Sequence, residues 1–316
     1  MDRNLALELV RVTEAAALAS ARFFGKGDPF AADQAAVSAM ELALRGVKIN
    51  GHIVIGEERV SKASILCVGD KVGEGGEPEV DVILDPLECI NSLAYGRNNA
   101  ISAIAMGPKG VFKSFSSDYM RKIAVGPEAA DRIDLNASTF DNLVKIAEAK
   151  RVYVEDLTVS ILERERHRKL IDEVRKAGAR IELIRDGDLA AVIAAALPGT
   201  GIDVMLGIGG TRQGIIAASA LACIGGGFQA QIVPEGEFDV EALPPEFKKV
   251  YECRDLVGGG NIMFAATGVS HSGFVEGVMF RPGGAITNSV VFRSKSGTIR
   301  FLKTEHFFDR SPDYTS

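Results

Sequence analysis

The residues best suited to chemistry lie in one stretch, Val80-Asp81-Val82-Ile83-Leu84-Asp85-Pro86-Leu87-Glu88-Cys89-Ile90-Asn91. Its β-branched run predicts a strand, and Pro86, with no N–H for the next ladder bond, predicts the strand's end. Asp85 and Glu88 are then left at the mouth of that strand. Carboxylate oxygens on a rigid element suit a hard divalent cation such as Mg²⁺ or Mn²⁺. The same letters also read as an ordinary acidic corner between a strand and a turn.

Other elements must bring partners to this corner. Leu5, Leu9, Val12 and Ala16 recur at helical spacing, so residues 3–22 predict an amphipathic helix with Glu8, Arg11 and Glu14 toward water. A second helix follows from Ala31 to Leu44, with Asp33 in its first turn, where the dipole favours an anion. His52-Ile53-Val54-Ile55 predicts a strand that delivers Gly56-Glu57 to a loop. The glycines between Val68 and Pro78 lack the spacing of a nucleotide-binding P-loop and predict a surface hairpin. Ala100–Met106 reads as a buried strand, and Val111–Val125, with Tyr119, Arg121 and Lys122, as a binding loop or an edge strand.

From residue 139 helices and strands alternate, which favours α/β architecture. Three strand-to-helix corners follow: Arg164-Glu165-Arg166-His167, then Arg185-Asp186-Gly187-Asp188, then Gly207-Ile208-Gly209-Gly210-Thr211. Such corners at the carboxyl ends of strands are where open α/β sheets bind ligands. The glycine cluster fits either phosphate binding at a helix start or close helix packing. His167 is kept as a candidate because it follows two arginines; His52, His271 and His306 read as structural or surface groups. Phe238–Glu252 is charged, with a short helix after Pro244-Pro245. Asn261–Thr267 predicts a strand, and Val290–Leu302 a strand pair turned at Lys295-Ser296-Gly297.

The totals narrow the function classes. A net charge of -6 argues against bulk nucleic-acid binding, and 47% hydrophobic with 25% charged residues describes a globular chain. Cys67, Cys89, Cys223 and Cys253 show no metal-finger spacing and read as reduced thiols. No run of eighteen apolar residues and no leader pattern occurs, so the expectation is a cytoplasmic protein away from membranes.

Taken together these motifs resemble the class II fructose-1,6-bisphosphatases, the metal-dependent bacterial branch of the lithium-sensitive phosphatase superfamily. The resemblance covers nearly the whole chain. It rests on Ala31-Ala32-Asp33, Ile53-Val54-Ile55-Gly56-Glu57, Gly69-Asp70-Lys71-Val72-Gly73, Asp85-Pro86-Leu87-Glu88, Arg185-Asp186-Gly187-Asp188, Gly207-Ile208-Gly209-Gly210, Ala265-Ala266-Thr267-Gly268 and His306-Phe307-Phe308-Asp309-Arg310. It implies an α/β fold, α+β in the N-terminal half and α/β in the C-terminal half, layered as an α-β-α-β-α sandwich. The expected division is a metal- and phosphate-binding half, 1–138, and a substrate-binding half, 139–316, or both in one compact unit. Asp33, Glu57, Asp85 and Glu88 are the implied ligands of Mg²⁺ or Mn²⁺, with Glu57 and Asp85 catalytic. Glu88 and Asn91 border the substrate phosphate, and Tyr119, Arg164, Arg166, Asp186, Asp188 and Gly210 hold the phosphorylated sugar. The implied reaction, a step of gluconeogenesis, is hydrolysis of the 1-phosphate of fructose 1,6-bisphosphate or a related sugar bisphosphate by a homo-oligomer, dimer or tetramer.

Departures from the family pattern gather at the chemistry. Pro29 replaces a lysine, Ser61 an aspartate, Cys89-Ile90 a Gly-Thr pair, and Gln213 a glutamate that ligates metal. The threonine hydroxyl at position 90 helps orient and deprotonate the attacking water, and isoleucine keeps the branched shape without a proton acceptor. Gln213 weakens one metal ligand. Impaired turnover is therefore expected, and the alternative is a degenerate phosphosugar-binding or regulatory paralogue. A third reading makes Cys89 a new nucleophile, although a cysteine is more often a small apolar filler.

Overall fold

The computed structural model describes residues 4–236, 238 and 242–309; Arg3, Arg310 and part of the charged stretch after Phe238 lie outside the described residues. The fold is α/β, with two mixed sheets and helices in two compact units, Met1–Phe112 with Gly259–Ser316, and Lys113–Gly258. The division expected at 138 falls within the second unit, because the strands after 259 pair with the sheet of the first.

In chain order the first pass comprises α1 (Leu5–Ala21), α2 (Pro29–Arg45), β1 (Asn50–Ile55), β2 (Lys71–Val72), β3 (Glu79–Glu88), α3 (Ile90–Ala94) and β4 (Ile101–Pro108). The second unit comprises β5 (Tyr119–Val125), α4 (Thr139–Lys150), β6 (Thr158–Leu162), α5 (Arg168–Ala177), β7 (Arg180–Ile184), α6 (Asp188–Ala196), β8 (Val204–Gly210), α7 (Thr211–Ile224), β9 (Gly227–Val233), β10 (Val250–Glu252) and α8 (Cys253–Leu256). The chain then returns with β11 (Met263–Gly268), β12 (Met279–Arg281), β13 (Gly284–Arg293) and β14 (Thr298–Phe307).

The first sheet runs β12-β13-β11-β4-β3-β1-β2, with β14 also on β13. Among the described strands of this sheet, β1 and β3 pair in parallel and the others antiparallel. α1 packs on α2, β11 and β13, and Leu9, Val12 and Ala16 are buried as their spacing requires. Glu14, expected to face water, is buried instead, and its carboxylate accepts a hydrogen bond from Thr287 Oγ1 at 2.8 Å. The alanine-rich helix sits so deep that its apolar stripe wraps most of its circumference, and a polar group there needs a partner. α2 starts two residues earlier than expected: the Asp28 carboxylate accepts from the Ala31 N–H at 2.9 Å, and Pro29 takes the first helical position. That position needs no N–H, which explains how proline is accommodated there. Asp33 therefore lies beyond the first turn, further from the dipole's positive end.

Pro86 does not end β3. The strand continues through it to Glu88, and its register against β4 slips between Asp85, opposite Ala103, and Glu88, opposite Ile101. A bulge is one of the few places where a central strand tolerates proline.

The second sheet runs β10-β9-β5-β8-β6-β7, with β6 parallel to both β7 and β8. β5 is central, paired with β8 and β9, so the stretch that read as a loop or edge is the middle of the sheet. The glycine cluster lies inside β8, which passes into α7 without a loop. α3, α8, β9, β10 and β12 had no counterpart in the sequence reading, since each is short or apolar without clear periodicity. No helix among the described residues is long and apolar enough to cross a membrane.

Candidate functional site

In the first unit Glu57, Asp85 and Glu88 follow from two neighbouring strands of the sheet. β1 and β3 run parallel with Ile55 opposite Ile83, so Glu57 and Asp85, each two residues further on, leave the same edge. The Glu57 N–H donates to Leu66 O at 2.8 Å, and its backbone forms a bridge with Cys67. The bulge settles where Glu88 points. Ala103 and Ile101 are two apart on β4 and share a face, so their partners Asp85 and Glu88 share that face too. Without the extra residue the two carboxylates would lie on opposite faces of the sheet. Both are buried, at 7% and 5% exposure. Asp33 is half-buried on α2, which packs against β3 and α3.

These donors are all carboxylate oxygens, which fits Mg²⁺ or Mn²⁺. Among the described residues, however, no group of three or more His, Cys, Asp or Glu side chains is gathered so as to hold a metal.

Cys89 links β3 to α3 with φ 69° and ψ 42°, the left-handed region, where a non-glycine residue costs about 1 kcal/mol or more. The family pattern carries glycine there. Ile90 opens α3 and packs, half-buried, against the core of the first unit; Asn91 beside it is exposed. Ser61 is exposed and committed to its own turn, with Oγ accepting from the Ala63 N–H at 3.2 Å.

In the second unit the residues expected to hold a phosphorylated sugar lie close to one another. Tyr119 opens β5 opposite Gly210, the last residue of β8. Arg164 and Arg166 follow β6, Asp186 follows β7, and Asp188 opens α6. Arg164 Nη2 donates to Asp186 Oδ1 at 2.9 Å, and the Arg166 guanidinium donates to Ile208 O at 2.9 and 3.2 Å. Arg166 also lies over the rings of Tyr119 and Phe238, 5.5 and 5.1 Å from their centroids. Desolvation at this half-buried position pushes the Arg166 pKa below its ordinary value. Asp188 is held by Lys122, whose Nζ donates to Oδ2 at 2.5 Å and to Gly210 O at 3.2 Å. Gln213 lies in the first turn of α7, and a Cβ built on Gly210 would come within 2.1 Å of its Oε1.

Lys122 and Phe238 were not among the expected site residues. Lys122 had a signal: it shares the inward period of β5 with Met120 and Ala124, both fully buried, and a lysine on such a face needs a buried anion. Phe238 had none, being an isolated aromatic in a charged stretch.

The glycine cluster serves packing. A Cβ on Gly209 would come within 1.9 Å of Asp188 Oδ2, and one on Gly207, at φ 146°, would meet the His167 ring at 3.0 Å. His167 uses both ring nitrogens internally: Nδ1 is 2.7 Å from Leu162 O, and Nε2 accepts from the Ile208 N–H at 2.8 Å. This is a neutral ring with its proton on Nδ1, a structural clamp between the end of β6 and β8. Burial lowers its pKa below the ordinary 6.5, and Arg166 and Arg164 act in the same direction. The unfolded chain therefore takes up a proton that the folded chain refuses, so the clamp's contribution is complete above pH 6.5 and is lost as pH falls from there toward the depressed value. The urea midpoint should drop between pH 7.5 and 5.5, with a shallower drop in His167→Gln; equal slopes would refute the clamp.

Beside Arg166 opens a cavity of about 430 Å³ within the second unit, lined by Arg121, Lys169, Ile123, Leu135 and Leu206 among others. Its volume lies in the range of small-molecule sites, and it pairs apolar walls with cationic groups.

Comparison with known proteins agrees with the sequence resemblance. The sequence model of the family described as "Bacterial fructose-1,6-bisphosphatase, glpX-encoded" matches residues 3–306. Three similar relatives are each named "D-fructose 1,6-bisphosphatase class 2/sedoheptulose 1,7-bisphosphatase". That of Microcystis aeruginosa is 37% identical over 99% of both chains. Those of Trichodesmium erythraeum and a Synechococcus species are 38% and 39% identical, each over 98% of this chain and 97% of the relative. The chain belongs to the bacterial, glpX-encoded fructose-1,6-bisphosphatase family.

Proposed function

We propose that this chain is a slow, cation-assisted phosphatase of sugar bisphosphates, releasing the 1-phosphate of fructose 1,6-bisphosphate or of a longer relative such as sedoheptulose 1,7-bisphosphate. The observation that carries the reading is the bulge at Pro86-Leu87, which sets Asp85 and Glu88 on one face at the edge that Glu57 also leaves. Asp85 and Glu88, which share one face, would hold Mg²⁺ or Mn²⁺, with water and the substrate phosphate completing its shell and with Glu57 and Asp33 as further carboxylates of the same unit. The cation would supply neutralisation of the leaving oxygen and a more acidic water. Arg164 and Arg166 offer guanidinium forks to the distal phosphate, Tyr119 walls the corner, and Asp186 and Asp188 accept sugar hydroxyls. The cavity beside Arg166 has room for a seven-carbon chain. Ile90 leaves the attacking water without the hydroxyl that would orient it, which is why turnover is slow. The setting is cytoplasmic carbohydrate metabolism, and the working form a homo-oligomer.

Purified protein with Mn²⁺ should release phosphate slowly from either sugar bisphosphate. Asp85→Asn and chelation should abolish release, and Cys89→Gly should leave it intact, because the thiol is not the nucleophile. A second reading, a phosphosugar binder without turnover, is favoured by the packing of Ile90 into the core. It becomes the better account if no sugar phosphate yields phosphate while fructose 1,6-bisphosphate still raises the melting temperature.

A further inference from the structure

β14 is the last strand of the first sheet. β13 runs along one of its sides for its full length, and among the described residues no strand pairs with the other. A ten-residue edge of this kind presents a row of backbone N–H and C=O groups ready to pair with another chain. From Phe301 to Phe307 its side chains alternate, and Arg300 before them is exposed as well. Leu302, Thr304 and His306 are half-buried, whereas Ile299, Phe301, Lys303, Glu305 and Phe307 form the exposed face, with Phe301 63% and Phe307 49% exposed.

We propose that a second copy of this chain pairs with β14 in antiparallel fashion, about a two-fold axis through Thr304, so that the two eight-stranded sheets become one. The occupant follows from self-complementarity. An antiparallel edge contact between identical strands requires an axis perpendicular to the sheet, so the exposed face of one strand continues into the exposed face of the other. Residues of like parity then oppose each other, and the axis must pass through a residue. An axis at Lys303 sets lysine against lysine, and one at Glu305 sets glutamate against glutamate. Axes at Phe301, Leu302 or His306 set a charge against an apolar side chain. At Thr304, Lys303 meets Glu305 and Phe301 meets Phe307, each twice by symmetry, with Leu302 against His306 on the other face. Opposite-charge and aromatic cross-strand pairs are the ones that stabilise sheets, and like charges directly opposed destabilise them. Within one protomer Glu305 already accepts from Arg281 Nη2 at 2.7 Å, and Arg281 lies over the Phe307 ring, 5.2 Å from its centroid, so one partner of each new rung is held in place. Arg300, the remaining cation of the strand, donates to Thr298.

The test is the mass of the full chain by light scattering, independent of any activity. Wild type should have an even multiple of the protomer mass. Lys303→Glu and Glu305→Lys should each halve it at the same concentration, and the double variant should restore it. Thr304→Cys should form a double-mass species on a non-reducing gel under mild oxidation, and adding Lys303→Glu should prevent it. A monomeric wild type, charge reversals without effect, or a double variant that stays dissociated would each overturn the pairing.

Discussion

Replacing Ile90 with threonine is expected to raise turnover with Mn²⁺ by about 10²- to 10⁴-fold, the usual worth of a positioned proton-transfer group. The gain should fall on kcat with little change in KM, because a hydroxyl that orients water in the transition state does not touch the bound sugar. Position 90 is favourable for the test. It opens α3 immediately after β3 and is half-buried, and threonine keeps the branch at Cβ that the packing uses. Some stability is lost with the missing apolar carbon, so the rate must be normalised to folded protein. Gln213→Glu is isosteric, with its carboxylate oxygen in the place over Gly210 that the amide oxygen now takes. It adds the formal charge that the resemblance implies at this position, and the Mn²⁺ concentration needed for half-maximal rate is the measurement that reports it. An unchanged kcat in a folded Ile90→Thr, Gln213→Glu chain would remove the reason for calling the native enzyme slow.

What the letters revealed depended on how local the deciding interaction was. Asp85 and Glu88 were visible because a β-branched run and a proline are neighbours in sequence. Their shared face was not, because it depends on the register against Ala103 and Ile101 in β4. Glu14 looked solvated by periodicity, but its partner Thr287 lies 273 residues away. The central place of β5 depends on β8 and β9, which follow it by scores of residues, so a mixed aromatic and basic stretch looked like an edge. The glycines of β8 read as a loop because glycine usually marks one. Here they leave room for the His167 ring and the Asp188 carboxylate, both of which arrive from other elements. The grouping of Arg164, Arg166, Asp186 and Asp188, by contrast, was legible, because the two arginines follow one strand and the two aspartates follow the strand that pairs with it.

Lys122→Met is expected to destabilise the second unit by about 3–5 kcal/mol, the typical effect of removing one partner of a buried ion pair. Lys122 is fully buried and the Asp188 side chain is 9% exposed, so neither charge has water to turn to. For a unit of this size a loss of about 1 kcal/mol lowers the melting temperature by about 2–4 °C, so the shift should be easily resolved. The pair need not stabilise the fold relative to an apolar core, because desolvating both ions offsets much of their attraction. Lys122→Met combined with Asp188→Leu should therefore recover most of the loss, and the recovery gives the coupling energy directly. Sugar binding should not recover with it, because the double variant lacks the Asp188 carboxylate that Nζ now holds beside Gly210 O, where Gly209 has no Cβ to push it away. A double variant that regained both stability and sugar affinity would show that Asp188 only balances a buried lysine. One that regained stability alone is the result expected if the Asp188 carboxylate itself contacts the proposed sugar ligand.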